Sequence, residues 1–277
     1  LKSAQFPTHG WLIEVMETPT PVSALLHAGL LNAGPFLLIR MAHIMEASTY
    51  ASSFAIFIGG FTALFASIAF LTQTSIKTAL GYSSVAHMGF SLMVCGLGVY
   101  PAAMLHLVAH SFYKAHAFLS SGSVIDLVRT AKIKLIERVG SPFRIALGIV
   151  LALAVYVLFA TMWGIDPSKE LSLLVVGGIM VMGLSRLFTS AIDSKGSAVL
   201  IFRASFMVIM VATAFFGLEA GSHYLLASQL PEMMPPSLVE MILMAVILLT
   251  FGAVVFIQII SPKLSSKSVY HTMAIQF

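Results

Sequence analysis

The sequence predicts an all-α fold: a polytopic transmembrane helix bundle of about eight spans, with part of a broken helix at the N-terminus. Three observations carry this. Of 277 residues, 58% are hydrophobic and 9% charged, so 26 side chains are charged where a soluble domain of this length carries about 70. The mean hydropathy is +0.97. The apolar residues fall into long runs rather than alternating, which argues for helices and against an outer-membrane barrel. A chain this poor in charge cannot cover a water-facing surface, which excludes a soluble enzyme and a disordered segment.

About 20 apolar residues in a helix cross a bilayer. The first stretch, 20–40, follows a segment in which Pro7 and Gly10 interrupt any helix, and it begins at the Pro19/Pro21 pair. The second, 52–72 (SSFAIFIGGFTALFASIAFLT), carries no charge. The third, 79–98, is rich in small residues that let helices approach closely. The fourth, 101–125, holds a row of ionisable groups. Then follow 143–165, two runs interrupted by Arg186 and Arg203 (171–192 and 198–218), and 238–260, whose 241–260 portion is free of charge. The turns between are short, and no soluble domain fits. The chain starts Leu1-Lys2-Ser3, with no methionine and no signal-peptide pattern, so it reads as a piece of a longer protein.

The cations give an orientation. On alternate loops, one side collects Lys77, Arg129, Lys132, Lys134, Arg138, Arg144, Lys195, Lys263 and Lys267; the other collects Arg40 and Lys169. The positive-inside rule then places 126–144 and the C-terminal tail in the cytoplasm, and the loops near 43–50, 166–170 and 223–236 outside. The cations are accounted for by the bilayer rather than by nucleic acid, and the basic loop can also meet anionic lipid. The single cysteine, Cys95, excludes a disulfide framework and a cysteine metal site.

Four cations (Lys2, Lys114, Arg186, Arg203) and five histidines (His27, His87, His106, His110, His116) remain at membrane depth, where an ionisable group must face the bundle interior or water. His106, His110 and Lys114 recur every four residues and share one helix face. Imidazole accepts a proton on one nitrogen and releases one from the other, and a lysine removed from water also exchanges its proton. The file therefore predicts a proton relay. Interhelical hydrogen-bond partners that only hold the bundle are the alternative. His106 and His110 also have metal-ligand spacing, but no Asp, Glu or Cys completes a set on that face and a charged Lys114 would repel a cation. Lys2 and His27 form a second candidate proton stop, though His27 could merely bond a carbonyl. His87, mid-span, reads equally as function or packing. His116, on another face, reads as a packing or hydrogen-bonding residue. Arg186 is a possible counter-ion partner or snorkels, and Arg203 snorkels. Glu14 and Glu17 read as interfacial, and the 16 methionines as packing or lipid-facing residues.

The strings KSAQFP, PTPVSALLHAG, IKTALGYSSVAHMGF and HLVAHSFYKAHAFLSSGSV, over roughly residues 1–128, resemble the proton-translocating antiporter-like membrane subunits of complex I and the Mrp antiporters. Within that superfamily, HGWLIEVMETPTP and YKAHAFLSSGSV are most similar to the DabB subunits of inorganic-carbon transporters. The resemblance implies that Lys2 is the lysine of the family's broken helix, that His27 belongs to the following helix, and that His106, His110 and Lys114 form the central relay. A glutamate paired with Lys2 is implied upstream of Leu1. The resemblance also implies a subunit that passes H⁺ or Na⁺ to drive a DabA-like, carbonic-anhydrase-like partner. Zinc is then expected in that partner, with no cofactor and no catalytic residue in this chain. Residues 129–277 diverge: the family's GFFSKD motif is absent and 143–165 lacks a lysine. The chain thus divides into a core at 1–128 and a divergent region at 129–277, in a bacterial inner membrane. The alternative implied is a respiratory complex I or Mrp-type subunit.

Overall fold

The computed structural model describes residues 2–48, 50–121, 142–166, 170–193, 198–231 and 234–264. Among them there are helices and turns and no strand. The chain divides into two compact units, residues 1–135 with 222–232, and residues 136–221 with 233–277.

In the first unit, α1 (Gly10–Glu14) and a 3₁₀ turn (Val15–Glu17) lead to α2 (Thr20–Ala28). After a second 3₁₀ turn (Leu30–Asn32) come α3 (Ala33–Arg40) and α4 (Ala42–Ala47), then the long helices α5 (Ala51–Thr72), α6 (Ile76–Gly96) and α7 (Tyr100–Ser120). The 20–40 stretch is thus two helices rather than the single run that hydropathy suggests. Pro35 explains the break. It lacks an N–H and its ring crowds the carbonyl four residues back, at Leu31. The Ser3 hydroxyl donates to that freed carbonyl at 2.8 Å and accepts from the Gly34 N–H at 2.9 Å. Irregular backbone of this kind persists at membrane depth because protein covers it: Ser3 and Ala4 are buried. The Phe6 N–H reaches the Thr62 hydroxyl of α5 at 3.1 Å, which anchors the segment.

Glycine sets the α5–α6 contact. A methyl at Gly89 would lie 2.6 Å from the Ala63 nitrogen and 2.7 Å from the Gly59 carbonyl, and one at Gly96 2.8 Å from the Ile56 nitrogen. The two backbones therefore touch, as small residues permit between membrane helices. α6 begins at the Ser75 cap, whose hydroxyl accepts from the Thr78 N–H, and α7 packs on α2, α3 and α6.

The second unit contains α8 (Pro142–Trp163), α9 (Leu171–Asp193), most of α10 (Ala198–Leu226) and α11 (Leu238–Leu264). α8 and α9 pack closely because Gly177 has no side chain: a methyl there would fall on the Tyr156 hydroxyl, which donates to the Leu174 carbonyl at 3.2 Å. Rings from α8 and α10 pair through Tyr156 and Phe216, 5.8 Å apart.

All eight predicted stretches are mainly helical in their described residues. Five are long and apolar enough to cross a membrane: 20–40, α5, and parts of α8, α10 and α11. The apolar portion described in α9 is shorter, 171–182. α6 and α7, 21 residues each, fall below that standard of apolarity because they carry the polar side chains of the candidate site. α10 continues to Leu226, past the predicted end at 218. The 126–141 loop residues, Lys169, Lys195 and the tail from 265 lie outside the described residues. Arg144, Arg186, Arg203 and Lys263 sit on helices, but their side chains also lie outside them.

Candidate functional site

The site lies in the first unit. α7 carries His106, His110 and Lys114 on one stripe, which turns toward α2 and α6. Lys114 is fully buried, and its Nζ donates to the Leu80 carbonyl of α6 at 3.2 Å. His110 is buried one turn earlier, and half-buried His106 stands one turn before that. The eight residues from His106 to Lys114 span about 12 Å along the axis.

α6 completes the arrangement. The His87 ring lies 5.2 Å from His106 and 5.3 Å from His110 by ring centroids, and His106 and His110 are 6.2 Å apart. Three imidazoles therefore form a triangle where the sequence suggested a line of two. α2 supplies His27, fully buried, its ring stacked on Phe118 at 4.2 Å. Lys114 and Lys77 both act electrostatically on His27, and His27 and Lys114 both act on His110.

Lys77 is the residue that sequence reasoning assigned elsewhere, to the loop cations. It stands half-buried in the first turn of α6, where the helix dipole disfavours a cation. Its Nζ instead donates to the Thr18 carbonyl, which also accepts from the Ser23 hydroxyl at 3.3 Å. A lone lysine in the first turn of a helix was the sequence signal available for it.

The order along the unit is Lys77, His27, Lys114, His110, then His87 with His106. Both ring nitrogens of His27 and of His110, and Nε2 of His106, are buried with no hydrogen-bond partner among protein atoms. Such groups cost about 1–3 kcal/mol each unless something small and polar bonds them. Beside the file, Asn32 Nδ2 donates to Ser111 Oγ at 2.7 Å, on the wall of a cavity of about 280 Å³ also lined by Phe36, Met104 and Leu107.

Other sequence candidates fall elsewhere. Lys2 is exposed in a turn, beside the Ser3 bond to Leu31, and is not among the groups brought to the histidines. His116 is exposed on α7 rather than packed; its face of α7 turns away from α2 and α6. Glu14 and Glu17 are exposed, and Cys95 is buried with Sγ 3.7 Å from the Pro35 carbonyl. Among the described residues no three His, Cys, Asp or Glu side chains converge as metal ligands would. Arg40 donates to Gln229 at 2.9 Å, which brings two segments predicted to face outward to one end of this unit.

Comparison with known proteins follows the same lines. Residues 1–172 match the family described as NADH:quinone oxidoreductase/Mrp antiporter, transmembrane. The probable inorganic carbon transporter subunit DabB2 of Halothiobacillus neapolitanus is 37% identical over 261 residues, covering 93% of this chain and 47% of that protein. The NADH-quinone oxidoreductase subunit L of Rickettsia typhi is 46% identical over 128 residues, covering 46% of this chain and 20% of that protein. The chain thus spans about half the length of the first of these relatives. A chain of the Mrp complex from Dietzia sp. superposes with a TM-score of 0.52 at 22% identity, covering 92% of this chain and 32% of that one, and shares its fold.

Proposed function

The chain belongs to the NADH:quinone oxidoreductase/Mrp antiporter transmembrane family, and from that premise we propose that it conducts protons, or sodium ions, to drive inorganic carbon uptake. It is a multi-pass, antiporter-like membrane subunit similar to inorganic carbon transporter subunits. The observation that carries the ion path is the file of half-buried Lys77 and buried His27, Lys114 and His110, joined by the His87/His106 pair. A proton on one imidazole nitrogen leaves as another arrives on its partner nitrogen, so each ring resets without net charge. Rings 5–6 Å apart leave room for one bridging water at the orphaned nitrogens.

The uptake reading rests on the reach of the similarity, which extends over 93% of the chain for the inorganic carbon relative and 46% for the respiratory one. The carbon chemistry then belongs to a DabA-like, carbonic-anhydrase-like zinc partner, which adds water to CO₂ to give bicarbonate and a proton. This chain supplies the ion flux, with 126–144 and the C-terminal tail facing the cytoplasm of a bacterial inner membrane. Lys2 retains a place as the entry lysine of the broken helix, exposed where water can reach it. A respiratory reading, as a complex I or Mrp-type subunit, is favoured by the 46% identity over 128 residues to a respiratory subunit.

The test is Lys114→Ala in the intact operon, in a host whose growth in air depends on the complex. Growth fails in air and recovers under added CO₂ if the proposal holds. Normal growth of the variant in air refutes it, and dependence on a respiratory substrate instead of CO₂ supports the second reading.

A further inference from the structure

We infer that the Ser3 hydroxyl is a positioning group for ion entry, one that holds Lys2 in a fixed place relative to His27. The inference rests on the reading of Lys2 as the entry lysine and deepens it. Lys2 is exposed and stands apart from the file, so its place is set by the backbone that carries it. Ser3, the next residue, is 5% exposed.

The chain is shaped around this one hydroxyl. Pro35 frees the Leu31 carbonyl. The Gly34 N–H stands in the first turn of α3, where amide donors need partners from outside the helix. A serine hydroxyl has one proton to donate and lone pairs that accept. Ser3 uses both, at 2.8 Å to the carbonyl and 2.9 Å from the N–H. Position 34 has no side chain, and a methyl there would fall on Ser3 Oγ. Ala4 follows with φ 50°, in the left-handed region that L-residues avoid, and it is fully buried. Such strain persists only where the surroundings hold it, and here it carries Ser3 into the break.

The same break bears on the file. Leu31 lies four residues after His27. Asn32 donates to the Ala28 carbonyl at 2.9 Å and to Ser111 Oγ at 2.7 Å, and Ser111 is the neighbour of His110 on α7. Further along the N-terminal segment, the Phe6 N–H is tied to Thr62 of α5, a helix that contributes no residue to the file. Ser3 is thus the tie between Lys2 and the turn that follows His27. Thr62 is an anchor of the segment as a whole.

The experiment measures proton flux down an imposed gradient. It uses the full-length chain in its complex, reconstituted in liposomes, with folding checked by thermal unfolding. Lys2→Met lowers flux about tenfold and leaves the rest to the intact file. Ser3→Ala, and Gly34→Ala, whose methyl displaces the hydroxyl, each lower flux about tenfold in folded protein. Combined with Lys2→Met, neither lowers it further, because the group they misplace is already gone. Thr62→Val, which removes the other anchor, multiplies its loss with that of Lys2→Met. Gly34→Ala carries the same expectation where Ser3→Ala does not fold. Losses from Ser3→Ala or Gly34→Ala that multiply with Lys2→Met overturn the inference alone, as does wild-type flux from either folded variant. Wild-type flux from Lys2→Met overturns the entry reading and the inference together.

Discussion

Gly89→Ala tests the contact that positions α6 and therefore half of the site. In an open helix interior this exchange stabilises by about 1 kcal/mol, because alanine loses less backbone entropy on folding. At Gly89 the new methyl lands 2.6 Å from the Ala63 nitrogen and 2.7 Å from the Gly59 carbonyl, where ordinary contact begins at 3.4 Å. Both neighbours are backbone atoms, so the helices must separate by about 0.8 Å at this level, and overpacking of this kind costs about 1–3 kcal/mol. The net expectation is a loss of up to about 2 kcal/mol. Gly217 of α10 is the control: a methyl there meets nothing within 4 Å, and Gly217→Ala should gain up to about 1 kcal/mol. Thermal unfolding of the detergent-solubilised protein reads both. The two midpoints should move in opposite directions. A Gly89→Ala variant as stable as Gly217→Ala would refute the close α5–α6 contact. The displaced α6 also carries Lys77 and His87, so the 5.2 Å His87–His106 approach should open and ion flux fall with stability.

Two further substitutions separate packing from the ion path. Phe118 is fully buried and stacks on His27; Phe118→Ala should cost about 3–5 kcal/mol by chemical denaturation, whereas Phe118→Leu should keep most stability and lose flux through a misplaced His27. Lys77→Met removes the ammonium from the Thr18 carbonyl and should cost about 1 kcal/mol together with most of the flux in reconstituted vesicles. His116→Ala, at an exposed position on the same bundle, should leave both unchanged, and equal losses at His116 and Lys77 would count against a specific path.

Hydropathy sufficed where a helix is uniformly apolar. The charge-free run at 52–72 is α5 to within one residue, because nothing in it competes with burial in lipid. The 20–40 run is long and apolar enough to cross a membrane as expected, but its break at 29–32, where Pro35 removes a backbone bond, is a local steric event that a sliding average does not register. The predicted α10 stretch ends at 218, whereas the helix continues to Leu226. For the site, the four-residue spacing of His106, His110 and Lys114 placed three groups on one face of α7, and the structure agrees. The meeting of His87 with those rings, and of Lys77 with Thr18, depends on how α6 sits between its neighbours. That register is set by backbone contacts at Gly59, Gly89 and Gly96, which the spacing of residues within one helix does not encode.

Proton flux through the full-length protein in its complex, reconstituted in liposomes, tests the central claim most directly, with Lys114→Met compared with wild type. Methionine fills nearly the volume of the lysine stem in this fully buried position, so the fold should persist with a stability change below about 1.5 kcal/mol. The ion path predicts that flux down an imposed gradient falls at least about a hundredfold in that folded variant. Wild-type flux from folded Lys114→Met protein would contradict it.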